Sequence, residues 1–164
     1  CYVLAAKKAQ EYGIAVPFRP VNIVQYMAGF LGRNPESITP LRKKIAFQRP
    51  CISRYIPEEE KWLDEFFSLI GVERLARQYD RKNALCCAAG LAEMQPDKAL
   101  PIIEKNIDDA KTFGADAMVF LCPNCYWLMS GKCEELGMPS MFITDLCRMA
   151  LGELPFFSRP WGSG

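Results

Sequence analysis

The sequence contains no histidine. That absence removes Ser-His-Asp and Cys-His catalysis, Cys/His zinc fingers and haem held by a histidine. Net charge is nearly absent as well: 20 basic residues against 19 acidic ones leave +1. Such a balance gives no electrostatic footprint for nucleic acid or anionic lipid. Long apolar runs are missing. The longest, near residues 117–122, is strand-sized, far short of the roughly 18 residues of a membrane span. No signal peptide is recognisable. The expected setting is cytoplasmic, with any membrane association peripheral, on the inner face and through a complex. The first residue is Cys1, not Met, so the chain is expected to be a fragment or a processed product. An acylated N-terminal cysteine is the weaker alternative. Lipid anchors usually lead into a flexible tether, and here an amphipathic pattern starts at once.

What is present is the composition of a globular domain. Half of the 164 residues are hydrophobic and 24% are charged. A chain of this length buries roughly two thirds of its unfolded surface and can build a core without covalent staples. The periodicity predicts helices over 5–12, 20–31, 97–113, 126–136 and 145–151. A further helix begins at Pro57, where Glu58, Glu59 and Glu60 meet the positive dipole end. Trp62, Leu63, Phe66, Phe67 and Ile70 then recur at helical spacing. Strands are predicted over 14–18, 44–48, 117–121 and 141–143; residues 72–79 read as either. Cys86–Gly90 reads as a small-residue turn, and the chain from Phe156 onward as a tail whose Gly-Ser-Gly ending reads as foreign to the protein. Strands alternating with helices predict an α/β fold: a mainly parallel sheet with flanking helices, a Rossmann-like layered domain. In such sheets ligands sit beyond the carboxyl ends of the strands. Cys51 and Cys122 both follow predicted strands and are expected to meet there.

Residues 1–18 align with 125–142 without a gap. Cys1/Cys125, Tyr2/Tyr126, Leu4/Leu128, Lys8/Lys132, Glu11/Glu135, Gly13/Gly137 and Phe18/Phe142 are identical. Either two amphipathic helix-Gly-strand units look alike, or the chain carries the end of one copy of a tandem duplication ahead of the next.

Eight cysteines stand where histidine is missing. Five of them, Cys51, Cys86, Cys87, Cys122 and Cys125, form the pattern C-x34-CC-x34-CPNC, with equal spacers. Disulfides suit this pattern poorly, because adjacent cysteines are awkward partners and no secretory signal is present. A redox Cys-x-x-Cys from Cys122 and Cys125 leaves the vicinal pair unexplained. A four-thiolate zinc leaves one cysteine spare. Thiolates are the soft ligands of iron–sulfur clusters, and four suffice for an ordinary cubane. Five converging thiolates point to an unusual cluster or one exchangeable ligand. Ala88, Ala89 and Gly90 leave room beside the vicinal pair, Pro123 pre-sets the turn before Cys125, and a helix after Cys125 aims free N–H groups at the site. Arg49, Arg54 and Lys82 stand near in sequence and can offset negative charge, although each alone reads more simply as surface. Cys133 and Cys147 lie outside the pattern and read as small buried hydrophobes. Trp62, Phe66 and Phe67 read as core.

The segments IAFQRPC (Ile45–Cys51), NALCCAAG (Asn83–Gly90) and VFLCPNC (Val119–Cys125) resemble the CCG, or cysteine-rich, domain of the B-type chain of heterodisulfide reductase and its relatives, over roughly residues 44–152. The relatives include iron–sulfur subunits of anaerobic glycerol-3-phosphate dehydrogenase, glycolate oxidase, lactate-utilisation proteins and an archaeal-type succinate dehydrogenase. The resemblance implies an α/β fold and matches Cys51, Cys86, Cys87, Cys122 and Cys125 to the family's five motif cysteines. It implies a noncubane [4Fe–4S] cluster, with an ordinary [4Fe–4S] cluster or zinc as alternatives. It also implies thiol–disulfide (heterodisulfide) chemistry, a small thiol or disulfide substrate, and iron–sulfur or flavin subunits as electron partners. The alternative functions are electron transfer as the iron–sulfur subunit of a quinone-linked dehydrogenase of the glycolate, lactate or glycerol-3-phosphate type, and a structural zinc-binding scaffold. Members usually carry two such domains in tandem. Residues 1–32 then read as the end of a preceding repeat packed with the main domain, 33–154 as the cysteine-rich domain and 155–164 as a tail. Two departures stand out. The family often has Gly after the vicinal cysteines, where this sequence has Ala88. Many members approach the first cysteine through His-Asp-Pro, where this sequence has Gln48-Arg49-Pro50. The missing histidine removes the easiest proton donor for a departing thiolate, which leaves Tyr55, Tyr126 or solvent.

Overall fold

The computed structural model describes residues 2–156, with side chains from Lys7 onward. Its centre is a four-stranded sheet of β1 (Lys43–Gln48), β2 (Val72–Arg74), β3 (Ala117–Phe120) and β4 (Ser140–Phe142), in the order β2-β1-β3-β4. All three pairings are parallel. Parallel strands need crossover connections, and helices supply them. They are α3 (Glu59–Leu69) between β1 and β2, α4 (Ala89–Ala92) and α5 (Pro96–Thr112) between β2 and β3, and α6 (Pro123–Glu135) between β3 and β4. Two helices precede the sheet, α1 (Tyr2–Glu11) and α2 (Ile23–Arg33), and α7 (Ile143–Ala150) follows it. The α/β layered fold expected from the alternation of elements is the fold observed.

Strand alternation divides the core in two. Ile45 and Phe47 of β1 and Ala117 and Val119 of β3 face α2, α3 and α7. Ala46, Met118 and Phe120 point the other way, toward α5 and α6. Both central strands are therefore buried on both faces, which explains their unbroken apolar runs. The helical face expected on α5, Ala99, Ile103, Ile107 and Ala110, is buried. Phe66 and Phe67 are buried in the first core, the Phe67 ring edge-on to Phe47 at 5.8 Å, with Trp62 half-buried against them. Gly71 ends α3 at φ +66°, where a Cβ would stand 2.9 Å from Pro40 Cβ. Only glycine fits there.

Several elements differ from the sequence reading. No strand forms over 14–18: Ile14 and Phe18 are exposed, and the segment has no neighbouring strand to pair with. Pro17 and Pro20 also remove backbone donors. α2 runs past the expected end at residue 31 to Arg33, and ends where the Asn34 N–H bonds Leu31 O. Residues 72–79 give a three-residue strand followed by irregular chain. The turn at Cys86–Gly90 leads directly into α4. α6 begins three residues early, at Pro123, because proline suits the first helical position. α2 buries Val24, Met27, Ala28 and Leu31 in the same core as the sheet, whereas residues 7–15 are almost all exposed. Phe156 packs on that core beneath Lys43 Nζ, 5.2 Å from its ring centre; the rest of the expected tail and Cys1 lie outside the described residues.

Candidate thiol site at the sheet edge

The strand order places a topological switch point between β1 and β3. The chain leaves β1 toward β2 on one side, and leaves β3 toward β4 on the other. The helices that follow β1 and β3 therefore pack on opposite faces of the sheet, and in sheets of this kind ligands sit beyond the carboxyl ends of the strands at such a point. The register aligns Gln48 with Phe120. Cys51 follows the first and Cys122 the second, so the two cysteines leave neighbouring strands at one level.

Each thiol is placed by a specific local structure. Pro50, in extended conformation, turns the chain into a short 3-10 segment, Cys51–Tyr55, that leaves Cys51 exposed. That segment is anchored from below. Ser53 Oγ donates to the buried Glu59 carboxylate, which also accepts from Asn22 Nδ2 at 2.9 Å. Arg54 Nε donates to Cys51 O at 2.8 Å. Cys122 is the N-cap of α6 and is half-buried, and Cys125 lies buried in that helix's first turn. The helix thus starts before Cys125 and not after it. The vicinal pair precedes α4, with Cys86 exposed and Cys87 buried.

The thiols act on one another in pairs: Cys51 on Cys86, Cys86 on its neighbour Cys87, and Cys87 and Cys122 on Cys125. A hydrogen bond from Cys125 holds Cys87 down at about 6, against its burial, and the Ala89 N–H helps. The same bond, with burial and the Cys87 charge, pushes Cys125 up. Within the pair, loss of a proton is thus favoured at Cys87 over Cys125. Burial pushes Cys86 up, partly offset by the Ala88 N–H, which reaches Cys86 Sγ at 3.4 Å. Successive backbone N–H groups turned toward one site form an anion-binding concavity. Ala88 reaches this geometry at φ +63°, in the left-handed region. That explains why glycine is common at this place in the family the sequence resembles.

Cys133 and Cys147 stand apart. Cys133 is fully buried beside Met118 Sδ, and burial pushes its thiol up to about 12. Cys147 is buried on α7, under the other face of the sheet. Of the expected cations, Arg49 pairs with Glu60 at 2.9 Å, Arg54 holds the Cys51 turn, and Lys82 is exposed. Tyr55 is exposed and lines a cleft of about 500 Å³ with Arg19, Val21, Gln25, Ile56 and Trp62. Tyr126 packs edge-on between Phe120 and Phe142, and burial raises its phenol.

A protein-family model described as CCG, cysteine-rich domain, matches residues 45–130. The match covers more than half of the chain and runs from β1 into α6, across all five clustered thiols. The chain belongs to the CCG cysteine-rich domain family. No curated protein matches the sequence. Cysteine-rich domains of this kind are associated in general with iron–sulfur redox modules.

The site's donor chemistry fits such a group. Its side-chain donors are thiols, the soft ligands that iron–sulfur clusters use, and backbone N–H groups already meet two of the sulfurs. Among the described residues, no three Cys, Asp or Glu groups stand at the spacing of a single metal ion.

One part of the site was not anticipated from sequence. Beneath the thiols lies a buried polar chain of Gln48, Asn106, Arg77 and Asp109. Asn106 and Asp109 interrupt the apolar face of α5, and that interruption is the signal that would have found them.

Proposed function

We propose that this chain is an iron–sulfur redox module of a heterodisulfide reductase B-like protein, the C-terminal copy of a tandem pair. Cys51, Cys86, Cys87, Cys122 and Cys125 hold a noncubane [4Fe–4S] cluster. Residues 33–154 form the module, 1–32 the end of a preceding repeat, and 155–164 a tail. The observation that supports the reading is the placement of Cys51 and Cys122 after the two paired central strands, with Cys86 and Cys87 adjacent and Cys87 and Cys125 close enough to act on each other. Burial supports a division of parts, with buried Cys87 and Cys125 as the floor of the site and exposed Cys51 and Cys86 as its open rim.

When bound, the cluster supplies electrons and iron at which a substrate sulfur can bind. The chain's own residues hold the thiolates, direct N–H groups at them and leave one side open. Reduction of a disulfide takes two electrons and two protons and yields two thiols. The electrons come from iron–sulfur or flavin partner subunits in a cytoplasmic complex, so the isolated chain does not turn over. The substrate is a small disulfide or thiol.

The test is anaerobic reconstitution with iron, sulfide and zinc analysis and electron paramagnetic resonance. Iron and sulfide in equal amounts, about four of each per chain, with an unusual signal in the oxidised state, is the expected result. Zinc without sulfide overturns it and leaves a scaffold. The lack of histidine favours a second reading, in which the module passes electrons toward a quinone or carrier and makes no bond to sulfur. Such transfer needs no proton donor. Adding a disulfide to the loaded chain separates the two: a change in the cluster spectrum supports sulfur chemistry, and an unchanged spectrum supports electron transfer.

A further inference from the structure

Gln48 is buried at the end of β1, three residues before Cys51, and its side chain spans to the loop of the vicinal thiols. Its Nε2 donates to Leu85 O at 2.9 Å, and its Oε1 accepts from Asn106 Nδ2. Asn106 Oδ1 accepts from Arg77 Nη1 at 2.8 Å. Arg77 also donates to Asp109 Oδ2 at 2.9 Å and to Phe47 O at 3.1 Å, and Asp109 accepts the Tyr79 N–H at 3.0 Å.

The direction of this chain is fixed from one end. A guanidinium only donates, so the Asn106 oxygen must face Arg77 and its NH2 must face Gln48. The Gln48 oxygen must then face Asn106, which turns its NH2 onto Leu85 O. The ion pair with Asp109 holds the chain at its origin, where burial otherwise pulls the Arg77 charge down. At the far end the effect reaches the site. In a trans peptide the C=O and N–H point in opposite directions. Holding Leu85 O to Gln48 therefore fixes which way the Cys86 N–H points, just ahead of the Cys87, Ala88 and Ala89 N–H groups that meet the vicinal sulfurs.

We infer that Gln48 is a positioning residue: the Arg77–Asn106–Gln48 chain sets the orientation of the Leu85–Cys86 peptide and so places the vicinal thiols. The role stands beside the iron–sulfur reading, and its assay needs no cluster, so failure of one is distinguishable from failure of the other. Gln48→Met removes the donor at similar volume. Gln48→Glu removes the donor but still accepts from Asn106, and so preserves the rest of the network should the first variant fold poorly. In the metal-free full chain, alkylation of each cysteine is followed by mass spectrometry, with Cys133 and Cys147 as internal references. The expected result is a selective change in the Cys86 and Cys87 rates of roughly five-fold relative to the references, the scale of one lost buried hydrogen bond, slower where lost N–H contacts disfavour the thiolate and faster where the loop opens. Global loosening alone accelerates all four together. Parallel acceleration, or unchanged rates in both variants, overturns the inference.

Discussion

Five described cysteines stand after strands or ahead of helices, Cys51 and Cys122 following β1 and β3 and Cys125, Cys86 and Cys87 at or before helix starts, and two lie within helices on opposite faces of the sheet. The residue type is the same and the chemistry is not. Cys133 meets Met118 and apolar side chains, and its only strong influence is burial. Cys87 is almost as buried, at 5% exposure against 0%, yet Cys125 and backbone N–H groups pull its thiol below the ordinary value. Burial alone makes a thiol inert; burial with donors turned toward it favours the thiolate, the form that reacts and binds metal. The difference comes from where the chain places each cysteine: strand ends and helix starts have free N–H groups, and helix interiors do not.

The sharpest test of this contrast exchanges sulfur for oxygen in both settings. Cys87→Ser or Cys86→Ser is expected to abolish cluster assembly or change its type. Any loss of bound iron and sulfide should exceed the roughly 10–100-fold effect of removing a supporting contact. Cys133→Ser is expected to load normally. Full loading in both vicinal variants would remove the five-ligand reading.

Stability should reverse that order. Cys133→Ser places a hydroxyl where only apolar atoms and a thioether wait, and should cost about 1–3 kcal/mol in denaturant unfolding. The pH dependence carries the same signature. The Cys133 thiol is raised from 9.0 to about 12. Its contribution to stability is complete below pH 9 and is lost as pH rises toward 12. Cys133→Ala should flatten the alkaline limb of a stability-against-pH curve. An unchanged limb would show that other groups govern it.

Sequence made the site more legible than its support. The equal spacers, the vicinal pair and the strand-end positions of Cys51 and Cys122 are local features, and the parallel register sets the two strands that precede Cys51 and Cys122 side by side, as the alternation of elements implies. The strand expected over 14–18 failed for a non-local reason: an apolar run becomes a strand only beside another strand, and none lies there. The Gln48–Asn106–Arg77–Asp109 chain was hidden because its members are spread from β1 to α5 and meet only in the fold. Ala88 stood out as a departure from the family habit, but its significance needed the backbone: φ +63° identifies why glycine serves there.

Ala88 supplies the smallest and most local test of the contrast. A left-handed residue with a Cβ is strained by about 1–2 kcal/mol. Glycine relieves that strain but loses roughly 0.5–1 kcal/mol more chain entropy on folding. Ala88→Gly should therefore stabilise the chain by at most about 1 kcal/mol, a rise of about 2–4 °C in Tm for a domain of this size. The N–H that reaches Cys86 Sγ remains, so cluster loading should not change. Ala88→Val should do the opposite, because a β-branched residue tolerates this region worst. It should lower Tm and disturb the vicinal pair together, whereas the same change at Ala110, buried in the regular helix α5, disturbs packing alone. If Ala88→Gly lowers Tm while loading persists, the strain argument fails and the alanine methyl is itself needed for packing at the edge of the site.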